Sequence, residues 1–207
     1  MKRDGLFQLL GIKSFSGEII KAFRNVRRED FVQSDLQENA YDDVPLPIGH
    51  GQTISQPSTI ALMLSELDLK KGQKVLEVGS GCGYVMALIS EIVGSRGRIF
   101  GVDVVSDLIK NSKENLNNYK NTFVYKKNGI SGLKEKAPFD RIIVSAALHE
   151  VPEELLAQLK NKGILIAPKG SRFEQEIIVI QRISEHEFEI KKKIPGFIFV
   201  PFVEEDN

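Results

Sequence analysis

VLEVGSGCGY, residues 75–84, starts as a β-branched apolar run and breaks into three alternating glycines, Gly79, Gly81 and Gly83. The adjoining stretch, GYVMALISEIVG, places Val85, Leu88, Ile89 and Ile92 at i, i+3, i+4 and i+7, one apolar stripe of a helix. A strand that turns through glycines into a helix is the opening of a βαβ unit. The chain then repeats the alternation: GRIFGVDV, SDLIKNSKENLNNY, TFVYKK, FDRIIVSAA, PEELLAQLK and GILIAPKG read as strand, helix, strand, strand, helix, strand. The apolar runs are continuous rather than alternating, as strands covered by helices on both faces require. The expected fold class is α/β, a doubly wound, mostly parallel sheet.

Outward from this core, GEIIKAFRNV and STIALMLSEL have helical spacing, the second with Ile60, Met63, Leu64 and Leu67 on one face. On the other side EQEIIVIQRIS, EFEIKKKI and GFIFVPF read as strands, an antiparallel edge added to the sheet. We expect one domain over 1–207: an N-terminal helical extension at 1–70, a Rossmann-like core at 71–170 and C-terminal strands at 171–207. Between the upstream helices lies PLPIGHGQTISQP, Pro45 to Pro57, which reads as neither helix nor strand. Its prolines stiffen it, its glycines turn it, and it displays Gln52, Thr53 and Ser55 at fixed positions.

With 28 Lys plus Arg against 28 Asp plus Glu, the chain has no global attraction for nucleic acid or anionic membrane, and neither is expected as a partner. The Lys191–Lys193 run reads as a solvated strand end. Cys82 is the single cysteine, which excludes a disulfide framework and a Cys-rich metal site and suits a reducing compartment. The N-terminus, MKRDGLFQLLGIKSF, lacks the pattern of a secretory signal, and no window approaches a membrane span. A cytoplasmic, monomeric protein without a metal is the expectation.

The glycine loop carries the chemistry. Glycines let the backbone turn sharply and let a ligand reach main-chain amides. Asp103 closes the next strand, 20 positions after Gly83, where an acid in this fold accepts from both ribose hydroxyls. A dinucleotide fingerprint would need its third glycine where this chain has Tyr84, so the NAD reading fails. The spacing G-x-G-x-G with Glu77 two residues ahead instead resembles the first motif of the class I methyltransferases, whose donor is S-adenosyl-L-methionine.

The resemblance becomes narrower with AYDDVPLPIGHGQTISQP, then KVLEVGSGCGY and KAPFDRIIVSAA. Together they resemble the protein-L-isoaspartate (D-aspartate) O-methyltransferases, from about Ala22 to the C-terminal FVPF, with GQTISQP the distinctive segment. The resemblance implies a class I methyltransferase fold and methylation of the free carboxylate of isoaspartyl residues in damaged proteins or peptides. It implies Ser55 as the residue that orients the acceptor, with His50, Gln52, Thr53 and Ile54 beside it. For the donor it implies Glu77, Gly79, Ser80, Gly81 and Gly83 at the methionyl end, Asp103 and Val104 at the ribose and adenine, and Asn128 with Gly129 at the adenine amino group.

Two departures stand out. Asn128 occupies a position where the family usually has an acid, and AALH, Ala146 to His149, replaces the family's AAAP and sets Leu148 and His149 near a strand end. They motivate a rival reading, a methyltransferase of this fold with another acceptor. A second rival, a noncatalytic binding module, has the intact glycine and Asp103 set against it. Cys82, in the loop, has no evident base to activate it and is read as packing.

Overall fold

The computed structural model describes residues 2–203; residues 204–207, the end of the expected C-terminal unit, lie outside the described residues, as does residue 1. Two helices lead the chain, α1 (Arg3–Ile12) and α2 (Gly17–Asn25), the second capped by the Ser16 hydroxyl, which accepts from the Ile19 N–H. α1 has no counterpart in the sequence reading. Leu6, Phe7 and Leu10 are buried, with Leu6 and Leu10 on one face of the helix.

Next come β1 (Leu46–Gly49) and β2 (Gln52–Ile54), an antiparallel pair joined through His50 and Gly51. The proline-flanked segment is therefore a hairpin and not the irregular loop its composition suggested. Both turn residues have positive φ, 53° and 68°, as a tight hairpin turn demands. α3 (Pro57–Glu66) comes after it, with Pro57 in its first turn, where a missing N–H costs nothing.

The remaining strands form one seven-stranded sheet in the order β5-β4-β3-β6-β7-β8-β9. These are β3 (Lys74–Val78), β4 (Arg98–Asp103), β5 (Thr122–Lys126), β6 (Phe139–Val144), β7 (Leu159–Gly170), β8 (Gln175–Arg182) and β9 (Phe188–Phe197). β5 through β7 run parallel, and β8 and β9 are antiparallel. α4 (Tyr84–Val93) and α5 (Ser106–Asn115) connect the first parallel strands, and α6 (Glu153–Leu156) precedes β7. This is the class I methyltransferase arrangement. Because β4 and β5 lie on one side of β3 while β6 and β7 lie on the other, the chain reverses its winding at the β3/β6 boundary. In such sheets the crevice at the carboxyl ends beside that boundary binds ligands.

Two local expectations change. PEELLAQLK forms only the single turn of α6, because β7 already begins at Leu159. EFEIKKKI and GFIFVPF do not make two strands: β9 runs through Pro195 and Gly196 to Phe197. Pro195 is tolerated because β9 is the sheet edge, where a lost donor breaks no ladder. The Lys191–Lys193 run lies on this edge, with its ammonium groups on Glu189, Glu66 and Glu176. Among the described residues no helix is long and apolar enough to cross a membrane.

Candidate active site

A cleft opens at the carboxyl ends of β3, β4 and β6, walled on the outer side by the β1–β2 hairpin and by the segment after β9. It holds about 730 Å³ of space with its mouth included, within the usual range for small-molecule sites. The glycine loop makes its floor. Gly79, Gly81 and Gly83 all have positive φ, 79°, 49° and 88°, which only glycine adopts cheaply. Gly79 and Gly81 line the cleft together with Ser80 and Cys82. Gly83 does not: it is the left-handed N-cap of α4, and a Cβ there would sit 2.8 Å from Leu116 Cδ1. Its expected contact with the donor gives way to a packing role.

Asp103 ends β4 at the lip of the loop. Its Oδ2 accepts from the Gly81 N–H at 2.8 Å and its Oδ1 from the Val105 N–H at 3.1 Å. One carboxylate thus holds the floor and the far wall in register, with lone pairs left over for a ligand. Val104, Val105 and Leu108 continue that wall.

Glu77 is the most unusual group present. Its side chain is buried, Oε1 accepts from the Ser145 hydroxyl at 2.7 Å, and Oε2 has no partner among the described residues. Burial pushes its pKa up to about 8, against the lowering effect of the Ser145 hydrogen bond, while the Asp103 charge adds to the rise. Ser80 Oγ is likewise buried and unpartnered. Glu77 and Ser80 both line the cleft, each with a buried side-chain oxygen that lacks a partner among the described residues, and a ligand with a cationic donor for Glu77 and a polar group for Ser80 would satisfy them. The methionyl ammonium and carboxylate of S-adenosyl-L-methionine meet that requirement.

From the other side the hairpin brings Gln52, Thr53, Ile54 and Ser55 to the cleft. Its position is clamped twice. Asp43 accepts from the Ser58 N–H at 2.8 Å and from Gln56 Nε2 at 3.0 Å, pinning the chain just beyond Ser55. Behind it, the fully buried Arg28 directs Nη2 to the Ile54 carbonyl at 3.5 Å and stacks over Tyr84 at 5.1 Å. Ser55 is half-buried, and its hydroxyl is uncommitted among the described residues.

Other expected residues fall elsewhere. His50 stands outside the cleft at the hairpin tip, its Nε2 3.2 Å from Asp107 Oδ2 on α5. Gly129 lines the cleft, where a Cβ would come within 2.4 Å of Val78 Cγ1, but Asn128 does not; its Oδ1 accepts from the Ile130 N–H at 2.9 Å and caps a short 3-10 turn. Leu148 is buried in the core beneath the sheet, so the AALH departure does not fill the cleft. Burial raises the Cys82 thiol to about 11, which removes it as a nucleophile.

The structure adds residues that sequence patterns did not single out. Ser145, at the end of β6 beside β3, is explained by the strand-end rule once the strand order is known. Val200, Pro201 and Phe202 reach the cleft because the C-terminal segment folds back across the sheet. Ala147 N–H donates to Val200 O at 2.9 Å, Phe202 N–H to Ala147 O at 3.0 Å, and buried Gln175 accepts from Phe199 N–H at 2.7 Å.

Comparison with known proteins agrees with this geometry. The family model of protein-L-isoaspartate(D-aspartate) O-methyltransferase (PCMT) matches residues 4–207. A protein-L-isoaspartate O-methyltransferase of Methanothrix thermoacetophila is 40% identical over 205 residues, covering 98% of this chain and 95% of that one. That of Methanosarcina mazei is 44% identical over 188 residues, 90% of this chain and 76% of the relative. Among solved structures, a protein-L-isoaspartate O-methyltransferase superposes with a TM-score of 0.89 at 29% identity, covering 100% of this chain and 68% of the other. A Plasmodium falciparum protein assigned as a protein-L-isoaspartate O-methyltransferase, solved with S-adenosyl-L-homocysteine, gives 0.86 at 26% identity, with 99% and 100% covered.

Proposed function

The chain belongs to the protein-L-isoaspartate(D-aspartate) O-methyltransferase family, repair enzymes that use S-adenosyl-L-methionine, and from that premise we propose how its own residues divide the work. Glu77 and Ser80 take the charged ends of the methionyl group, Asp103 the ribose, and the wall of Val104, Val105 and Leu108 the adenine. When bound, S-adenosyl-L-methionine supplies an electrophilic methyl on a sulfonium centre. A carboxylate is already ionised at neutral pH, so the acceptor needs no general base. What it needs is alignment and exclusion of water.

Ser55 is the residue we assign to alignment. The observation that carries this is its uncommitted hydroxyl, held by a doubly clamped hairpin on the wall opposite the orphaned Glu77 and Ser80 atoms. Ser55→Ala is expected to lower turnover on an isoaspartyl peptide by about one to two orders of magnitude, with donor affinity unchanged. Single-turnover kinetics beside a donor titration check this, and wild-type turnover in the variant removes Ser55 from the mechanism.

Glu77 gives a second test. Its folded pKa of about 8 lies above that of an exposed glutamate, so between the two values the native state keeps a proton that the unfolded chain has released. That stability is fully present below the unfolded pKa and is lost as pH rises toward 8. Glu77→Gln, neutral throughout, is expected to abolish this slope: its melting temperature should exceed that of the wild type at pH 8 and approach it at pH 5. Donor affinity should fall by roughly tenfold or more, because the donor's ammonium draws Glu77 into its charged form on binding, whereas an amide can only accept from it without a charge. Parallel melting curves with identical slopes would refute the assignment of a protonated Glu77.

The single cysteine, buried and unpaired, supports residence in the reducing cytoplasm.

A further inference from the structure

Beside the cleft, on the far side of Pro201 and Phe202, lies a second and larger groove of about 1240 Å³, mouth included. The two share those residues as a common wall, so the groove lies immediately beside the cleft that takes the acceptor. Its floor is apolar, from Ile130, Phe199 and Phe202. Its rim carries two opposite formal charges, Glu150 and Arg172. They are not equivalent: Glu150 is neutralised by Lys169, Nζ to Oε2 at 2.6 Å, whereas Arg172 has no carboxylate partner among the described residues. Next to Arg172, at the tip between β7 and β8, Phe173 is 87% exposed. A large aromatic side chain held in water beside a free guanidinium invites an extended chain with both apolar and anionic groups.

We propose that this groove binds the polypeptide flanking the acceptor residue and that Arg172 selects an acidic side chain within that flank. The proposal rests on the isoaspartyl reading above and adds the character of the preferred sequence. Adjacency to the cleft points to the substrate's own chain as the occupant. The Glu150–Lys169 pair leaves Arg172 to set the sign of the groove. Both groups lie on exposed surface, so the selection is moderate in size, acts on binding rather than on the methyl-transfer step, and weakens in salt.

Three isoaspartyl decapeptides test it, identical except for Glu, Gln or Lys at the second and third positions on each side of the acceptor. With wild-type enzyme at low salt, kcat/KM is expected to favour the Glu over the Lys peptide by roughly three- to tenfold, through KM. Arg172→Glu, on an exposed turn, is expected to invert that order while leaving the Gln peptide and the donor Kd within twofold of wild type. About 0.5 M salt should erase the preference in both. An unchanged Glu-to-Lys ratio in Arg172→Glu overturns the proposal while leaving the acceptor reading intact. Donor binding without methylation of any of the three peptides overturns the acceptor reading itself, and this proposal with it.

Discussion

Asp103→Ala is expected to raise the donor Kd by roughly two orders of magnitude, about 3 kcal/mol, more than the loss of a single ligand contact. The excess comes from the structure: the same carboxylate that we assign to the ribose also receives the Gly81 and Val105 N–H groups. Removing it leaves two backbone donors without their acceptor and frees the glycine loop from the β4 wall. Asp103→Asn is not a mild control here. An amide offers one acceptor oxygen, so its NH2 must face one of the two N–H groups, and an intermediate loss of about tenfold is expected. Calorimetry with S-adenosyl-L-homocysteine, which binds without turning over, gives the affinities, and thermal melts confirm that each variant folds. Wild-type affinity in both variants would remove Asp103 from the donor site.

Why that residue was readable from the sequence, while others were not, has a physical explanation. VLEVGSGCGY and the acid that closes the next strand are local signals: a glycine turn and a strand end are set by neighbours in the chain. The alternation of apolar runs and helical stripes gave the parallel sheet for the same reason. The hairpin was harder, because GHGQ places its positive-φ turn at His50, and the glycines and prolines around it fit loop and hairpin equally. α1 was missed although Leu6, Leu9 and Leu10 keep helical spacing, because glycines at 5 and 11 break its propensity and its burial comes from packing against α2. Asn128 and Leu148 stood out as departures from a family pattern, yet one is spent on a local cap and the other on the core. Ser145 and Phe202 became site residues only when β6 was seen beside β3 and the C-terminal segment was seen crossing Ala147. Such long-range placements leave no periodic trace.

The hairpin decides the largest effect on the acceptor side: an isoaspartyl peptide is expected to be methylated about a hundredfold faster than the matched aspartyl peptide. In an isoaspartyl residue the main chain runs through the side-chain carbonyl, and the free carboxylate hangs directly from Cα, one bond nearer the backbone than in ordinary aspartate. Both carboxylates are ionised at neutral pH and equally nucleophilic, so intrinsic reactivity offers no discrimination. Position must supply it. Ser55 sits between two clamps, the β1–β2 pairing of Leu46 with Ile54 ahead of it and the Asp43 hydrogen bond to Ser58 N–H behind it. Arg28 backs the Ile54 carbonyl, so the hydroxyl has little freedom to follow a carboxylate displaced outward. A misplacement of about an ångström from the line of attack is enough for a hundredfold loss in rate. The measurement is transfer of a labelled methyl to the two peptides, read as a base-labile ester. Equal labelling of both would mean that the clamped hairpin does not set the position of the acceptor, and a small molecule labelled in place of either peptide would move the site to another class of carboxylate.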